Sequence, residues 1–195
     1  MSFVNDSTKE INCKVVYFGP ALCGKSTSLR SIYDQVKEKS KGEMISLATD
    51  DDRTLFFDFI PLYLGQIKNY TIRLHLYTVP GQVAYDAQRS LIAKGTDGVV
   101  FVADSQIPRM EANLASLVDL RRILKRELED DEVVETFPLV IQYNKRDLPQ
   151  AAPLNEMRDL LNTRRVPDFE SVATSGDGVF DALKAISVQV LQAIR

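Results

Sequence analysis

Gly19-Pro20-Ala21-Leu22-Cys23-Gly24-Lys25-Ser26 is the stretch that decides the fold. Glycine, four residues, glycine, lysine and a hydroxyl residue form the pattern of a loop that cradles phosphates. Gly19 and Gly24 let the backbone curl so that its N–H groups face anion oxygens. Lys25 is placed to reach the β and γ phosphates of a nucleotide, and Ser26 to set its hydroxyl on Mg²⁺. Ala21, Leu22, Cys23 and Thr27 complete the cradle. Such a loop needs a strand before it and a helix after it. Upstream, residues 11–18 are β-rich around Val15-Val16-Tyr17-Phe18. Downstream, Leu29, Ile32, Tyr33 and Val36 recur at spacings of three and four, which predicts a helix over 25–36 whose N-terminus adds partial positive charge.

Working outward, strand and helix patterns alternate to the end of the chain. Residues 37–53 are polar and read as a long loop. Residues 54–64 and 71–78 are β-rich, and 65–70 supply the turn of a hairpin. Pro80-Gly81 breaks the second run, and a short helix is expected over 85–94. Residues 98–103 and 137–143 read as strands buried on both faces, with a helix over 110–129 between them. A helix including 157–161, a short strand over 169–173 and a helix over 179–194 close the chain. This order predicts one α/β domain, residues 1–195, with a mostly parallel six-stranded sheet, one antiparallel edge strand and helices on both faces.

Asn144-Lys145-Arg146-Asp147 follows the strand over 137–143. Ligands of open parallel sheets lie beyond the carboxyl ends of the strands, so this tetrapeptide and the phosphate loop can share a cleft. A carboxylate only accepts hydrogen bonds. Guanine offers two donors on one edge, and adenine lacks that pair, so Asp147 suits guanine. Asn144 is placed to tie the base loop to the phosphate loop, and Lys145 to lay its stem over the ring. Ala173 and Thr174, after the last strand, form a third wall, and a backbone N–H of either is a candidate donor to guanine O6.

Composition narrows the class. The 195 residues are 45% hydrophobic and 26% charged, with a net charge of -3, an ordinary globular balance that gives no support to nucleic-acid binding. No apolar run reaches 18 residues, and the N-terminus carries no signal-peptide pattern, so neither an integral membrane segment nor export is expected. Two cysteines, Cys13 and Cys23, and one histidine, His75, fit reduced cytoplasmic usage and argue against structural zinc.

These motifs together resemble the small Ras-like GTPases, and more narrowly the bacterial MglA-like GTPases of gliding motility and cell polarity. The resemblance spans essentially the whole chain, including 41–58 and Thr78-Val79-Pro80-Gly81-Gln82. It implies a cytoplasmic switch between GTP and GDP with Mg²⁺, recruited to a cell pole and monomeric when free. Its GTP form engages polarity or motility effectors, and an MglB-like roadblock homodimer is the activating partner. It also implies roles for single residues. Thr54 reaches Mg²⁺ and the γ-phosphate, and Arg53 acts as an arginine finger supplied in cis. Gly81 gives its N–H to the γ-phosphate, and Gln82 orients the attacking water. The strand carrying Phe56-Phe57 is implied to shift register with the switch. Two departures stand out. Thr78 occupies the place where most small GTPases have aspartate, although MglA-like proteins share it. Ala21 stands where the loop usually has glycine, which implies slow hydrolysis. A nucleotide-binding polarity scaffold and a small P-loop kinase are the alternative readings. The kinase needs an arginine-rich lid, for which Arg121-Arg122-Lys125-Arg126 is the sole candidate.

Overall fold

The computed structural model describes residues 3–48, 54–81 and 86–194. In chain order the elements are β1 (Phe3–Asn5), β2 (Glu10–Phe18), α1 (Lys25–Gln35), β3 (Ile45–Ala48), β4 (Thr54–Ile67), β5 (Tyr70–Thr78) and α2 (Asp86–Ala93). They continue with β6 (Gly98–Asp104), α3 (Met110–Leu128), α4 (Asp131–Thr136), β7 (Leu139–Asn144), α5 (Leu154–Leu161), β8 (Asp168–Glu170) and α6 (Val179–Ala193).

Side-chain alternation sorts the layers. On β2, Cys13, Val15 and Tyr17 join a core with Leu29 and Ile32 of α1 and Leu183, Ile186 and Val190 of α6. The intervening Val16 and Phe18 face a second core with Leu117, Leu120 and Ile123 of α3 and Met157 of α5. β6 repeats the division, with Val100 and Val102 on one face and Val99, Phe101 and Ala103 on the other. A strand covered on both faces has no polar side, so the run from Gly98 to Asp104 is buried throughout.

The sheet order is β3-β4-β5-β2-β6-β7-β8, with β1 added against β2. β5, β2, β6, β7 and β8 are mutually parallel. β4 is antiparallel to β5, and β3 is antiparallel to β4. The three-layer α/β class read from sequence holds, but the sheet has eight strands where six were expected. The additional strands, β1 and β3, span three and four residues, too short to display a two-residue period. β3 lies inside the segment read as loop, and β1 pairs with β2 over Glu10 to Asn12, before β6 joins at Val15.

The hairpin turn is also tighter than the sequence suggests. β4 runs to Ile67 and β5 starts at Tyr70, so only Lys68 and Asn69 turn, with φ of 47° and 68°. Two positive φ values give a turn whose twist matches the strands. Gly65, read as part of that turn, instead sits at a register break in β4 with φ 102°. α4 begins in the acidic run after α3, where the Asp130 carboxylate accepts hydrogen bonds from the N–H groups of Glu132 and Val133.

Candidate nucleotide and magnesium site

β2, β6 and β7 end side by side, with Phe18 opposite Phe101 and Asp104 opposite Asn144. Beyond these ends lies a cleft of about 630 Å³. It brings together Ala21, Leu22, Gly24, Lys25, Ser26 and Thr27 of the phosphate loop, Gly81, the base-loop residues Asn144, Lys145 and Asp147, and Ala173 and Thr174. Cys23 and Gly19 form the loop's inner side. The Cys23 side chain is wholly buried, and burial pushes its thiol pKa up. Both cysteines are free thiols, and Cys13 is also pushed up, to about 12, by burial.

Gly24 caps α1 with φ 102°, and no side chain caps that helix N-terminus. A Cβ at Gly24 would lie 2.1 Å from Asn144 Nδ2, so glycine is required by conformation and by space. The close approach lets Asn144 Nδ2 donate to Cys23 O at 2.8 Å. Asn144 Oδ1 in turn accepts from Ala173 N at 2.9 Å and from Ser171 Oγ at 3.3 Å. Asn144 therefore binds the phosphate loop, the base loop and the third wall together. The Ala173 N–H is engaged by Asn144 in this structure, and Ala173 and Thr174 are the two candidate donors to a base.

Lys25 is buried, and its Nζ donates to Gly19 O at 2.9 Å and Pro20 O at 2.7 Å. Lys145 has φ 66°, and its Nζ lies 2.7 Å from Oδ2 of the buried Asp104. Gln142 Nε2 donates to Ser28 Oγ, which donates to Gly24 O, a buried relay from β7 to the start of α1. The sequence signal for that relay was a glutamine inside an otherwise apolar strand.

Asp58 is the functional neighbour that sequence reading missed. It is buried on β4, and its carboxylate accepts from Ser26 Oγ at 2.5 Å, from Thr78 Oγ1 at 2.8 Å and from the Ser46 hydroxyl. A carboxylate from the adjacent strand thus lies beside Thr78 and beside the Ser26 hydroxyl. The described residues contain no group of three or more His, Cys, Asp or Glu that would cage a metal. The Ser26 hydroxyl beside the phosphate loop suits Mg²⁺, which takes one or two protein ligands and completes its shell with phosphate and water oxygens. Thr54 opens β4 opposite Ala48, but its side chain, together with Arg53 and Gln82, lies outside the described residues.

Gly81 packs on the phosphate loop: a Cβ there would lie 2.4 Å from Ala21 N. Ala21 itself is absent from the residues with positive φ, whereas Leu22 has φ 62°. The basic cluster on α3 is engaged locally, with Arg121 on Thr163, Arg122 on Asp119 and Lys125 on Asp131. That is the behaviour of a solvated helix face. No helix among the described residues is long and apolar enough to cross a membrane.

Comparison with known proteins agrees with this geometry. The profile of the ADP-ribosylation factor family matches residues 57–190. The chain is 57% identical to "Mutual gliding-motility protein MglA" of Myxococcus xanthus (strain DK1622), over all of this chain and 98% of that protein. A phosphate loop, a guanine-suited base loop and a magnesium-suited hydroxyl in one cleft, carried by an α/β sheet of this order, have one common explanation. The chain belongs to the ADP-ribosylation factor family of Ras-like GTPases, is of the MglA type, binds GTP and GDP with Mg²⁺, and hydrolyses GTP.

Proposed function

We propose that the chain is a cytoplasmic switch of cell polarity and gliding motility, recruited to a cell pole and monomeric when free. The observation that carries the switch reading is Asn144, whose amide joins the phosphate-binding and base-binding loops. The motility role follows from the relative named for gliding motility. In this reading the GTP form binds effectors, and an MglB-like roadblock homodimer stimulates hydrolysis.

Each site residue takes a defined part. The Lys25 ammonium exchanges the carbonyls of Gly19 and Pro20 for β- and γ-phosphate oxygens. The backbone of Ala21, Leu22, Cys23, Gly24 and Thr27 lines the phosphates. Ser26 and Thr54 hold Mg²⁺, which supplies charge neutralisation at the transferring phosphate. Asp58 supports Ser26 in the strand register seen here. Gly81 donates to the γ-phosphate, Gln82 orients the water, and Arg53 stabilises charge in the transition state. Lys145 covers the base, the Asp147 carboxylate accepts its two donors, and a backbone N–H of Ala173 or Thr174 reaches O6. Segments 38–54 and 79–87, of which 49–53 and 82–85 lie outside the described residues, are expected to differ between GDP and GTP states, because the γ-phosphate alone gives them a shared anchor. A scaffold that hydrolyses slowly remains the second reading, favoured by the packing of Ala21 against Gly81.

Calorimetric titration tests the base assignment. Hydrogen bonds to a charged group contribute about 1.5–3 kcal/mol each. GDP is expected to bind far more tightly than ADP, and Asp147→Asn to lose most of that preference. Comparable GDP and ADP affinities for the unaltered protein overturn the guanine reading.

A further inference from the structure

Among the described residues, side chains hold several carbonyls of the phosphate loop. Lys25 takes those of Gly19 and Pro20, and Asn144 takes that of Cys23. The carbonyl of Ala21 is held by a residue outside every motif: Arg109, whose Nη2 donates to it at 2.7 Å. Arg109 ends a short 3-10 turn, Ile107–Arg109, and sits immediately before α3. Its Nε lies 3.6 Å from Oδ2 of the buried Asp104. The same carboxylate oxygen is 2.7 Å from Lys145 Nζ. The other oxygen, Oδ1, accepts from the Gln106 backbone N–H at 3.2 Å, so the anchor is itself fixed.

A trans peptide points its C=O and N–H in opposite directions. Holding the Ala21 carbonyl toward Arg109 therefore turns the Leu22 N–H the other way. No described residue accepts a hydrogen bond from that N–H, and both Ala21 and Leu22 line the cleft. The orientation carries strain. Leu22 has φ 62°, in the left-handed region that side chains other than glycine avoid, and its side chain is exposed, so packing does not hold it there. Left to itself, the Ala21–Leu22 peptide would turn over and relieve leucine of that conformation.

We propose that Arg109 is a positioning residue of the nucleotide site: anchored on Asp104, it holds the Ala21 carbonyl and so keeps the Leu22 N–H turned toward the nucleotide's phosphates. Asp104 joins this clamp to Lys145, so one buried carboxylate serves the phosphate end and the base end of the cleft. The inference rests on the phosphate-loop reading given above.

Release of a fluorescent GDP analogue tests it in unaltered protein, Arg109→Ala, Leu22→Gly and the double variant. Loss of Arg109 is expected to speed release about tenfold, the equivalent of one charge-assisted hydrogen bond. Glycine adopts positive φ at no steric cost, so in the Leu22→Gly background the same loss is expected to speed release less than about threefold. An Arg109 that merely stabilises the start of α3 gives equal effects in both backgrounds, and that result overturns the proposal. So does unchanged release from Arg109→Ala. Lys25→Ala separates the two levels: if it also leaves GDP release unchanged, the phosphate-loop reading fails, whereas fast release from Lys25→Ala alone removes only the role of Arg109.

Discussion

At the scale of the residue, Ala21 poses the sharpest question. A methyl group in place of hydrogen is tolerated only if the backbone suits an L side chain, and the structure puts the left-handed conformation one position later, on Leu22. Ground-state binding is therefore spared. The transition state is more demanding, because Gly81 packs directly on Ala21 and Gln82 follows it in the chain. Displacing a reacting group by about 1 Å can cost a hundredfold in rate. Ala21→Gly is expected to accelerate single-turnover GTP hydrolysis while leaving GDP and GTP affinities within about twofold, since only the transition state is relieved. Equal rates in the two proteins, with and without a roadblock-type activator, would show that the methyl group is no obstacle.

At the scale of the element, β4 is the strand on which the site depends most. Asp58 fastens it to α1 through Ser26, to β3 through Ser46 and to β5 through Thr78. Phe59 packs tilted against Tyr77, with ring centroids 4.8 Å apart, and meets His75 edge-on, which fixes the same register from the aromatic side. Asp58→Asn keeps the volume and removes the charge beside Ser26. Partners behind a metal ligand typically carry a 10–100-fold share of metal affinity, so the variant is expected to need roughly that much more Mg²⁺ to retain GDP. With excess EDTA, its GDP release is expected to match that of the unaltered protein. A titration of GDP release against Mg²⁺ that is superimposable for the two proteins would remove Asp58 from the metal's surroundings. The position of Asp58 also marks where sequence reading stops. The phosphate loop, α1 and the buried strands β6 and β7 were legible because their determinants are local: glycines at fixed offsets, periods of two and of three to four. Asp58 meets Ser26 across 32 positions and Thr78 across 20, and Arg109 meets Ala21 across 88. No spacing rule announces such contacts, because the sheet order that creates them is set by the packing of all the strands together.

At the scale of the whole molecule, Asn144 makes the site and the fold one problem. The residue is 2% exposed, and its side chain joins the loops that follow β2, β7 and β8. Truncation to alanine leaves the Cys23 carbonyl and the Ala173 N–H unpaired in a buried place, which costs about 1–3 kcal/mol for each unsatisfied group. For a chain of this length, each kcal/mol moves the melting temperature by about 2–4 °C, so Asn144→Ala is expected to melt several degrees early even without nucleotide. Ligand linkage acts in the opposite direction. GDP at a hundred times its dissociation constant adds about 2.7 kcal/mol, a rise of roughly 5–11 °C in the unaltered protein. Because the same amide holds both halves of the cleft in place, the variant is expected to show a smaller rise at equal GDP and Mg²⁺. Thermal melts of both proteins, with GDP, with ADP and with neither, measure the two effects separately. An early melt together with a full GDP-induced rise would mean that Asn144 supports the fold without organising the site. A normal melt with a lost rise would mean the reverse. Only the combination of an early melt and a reduced rise, with ADP inert, fits a residue that stabilises the sheet's carboxyl edge and binds guanine nucleotide through the same hydrogen bonds.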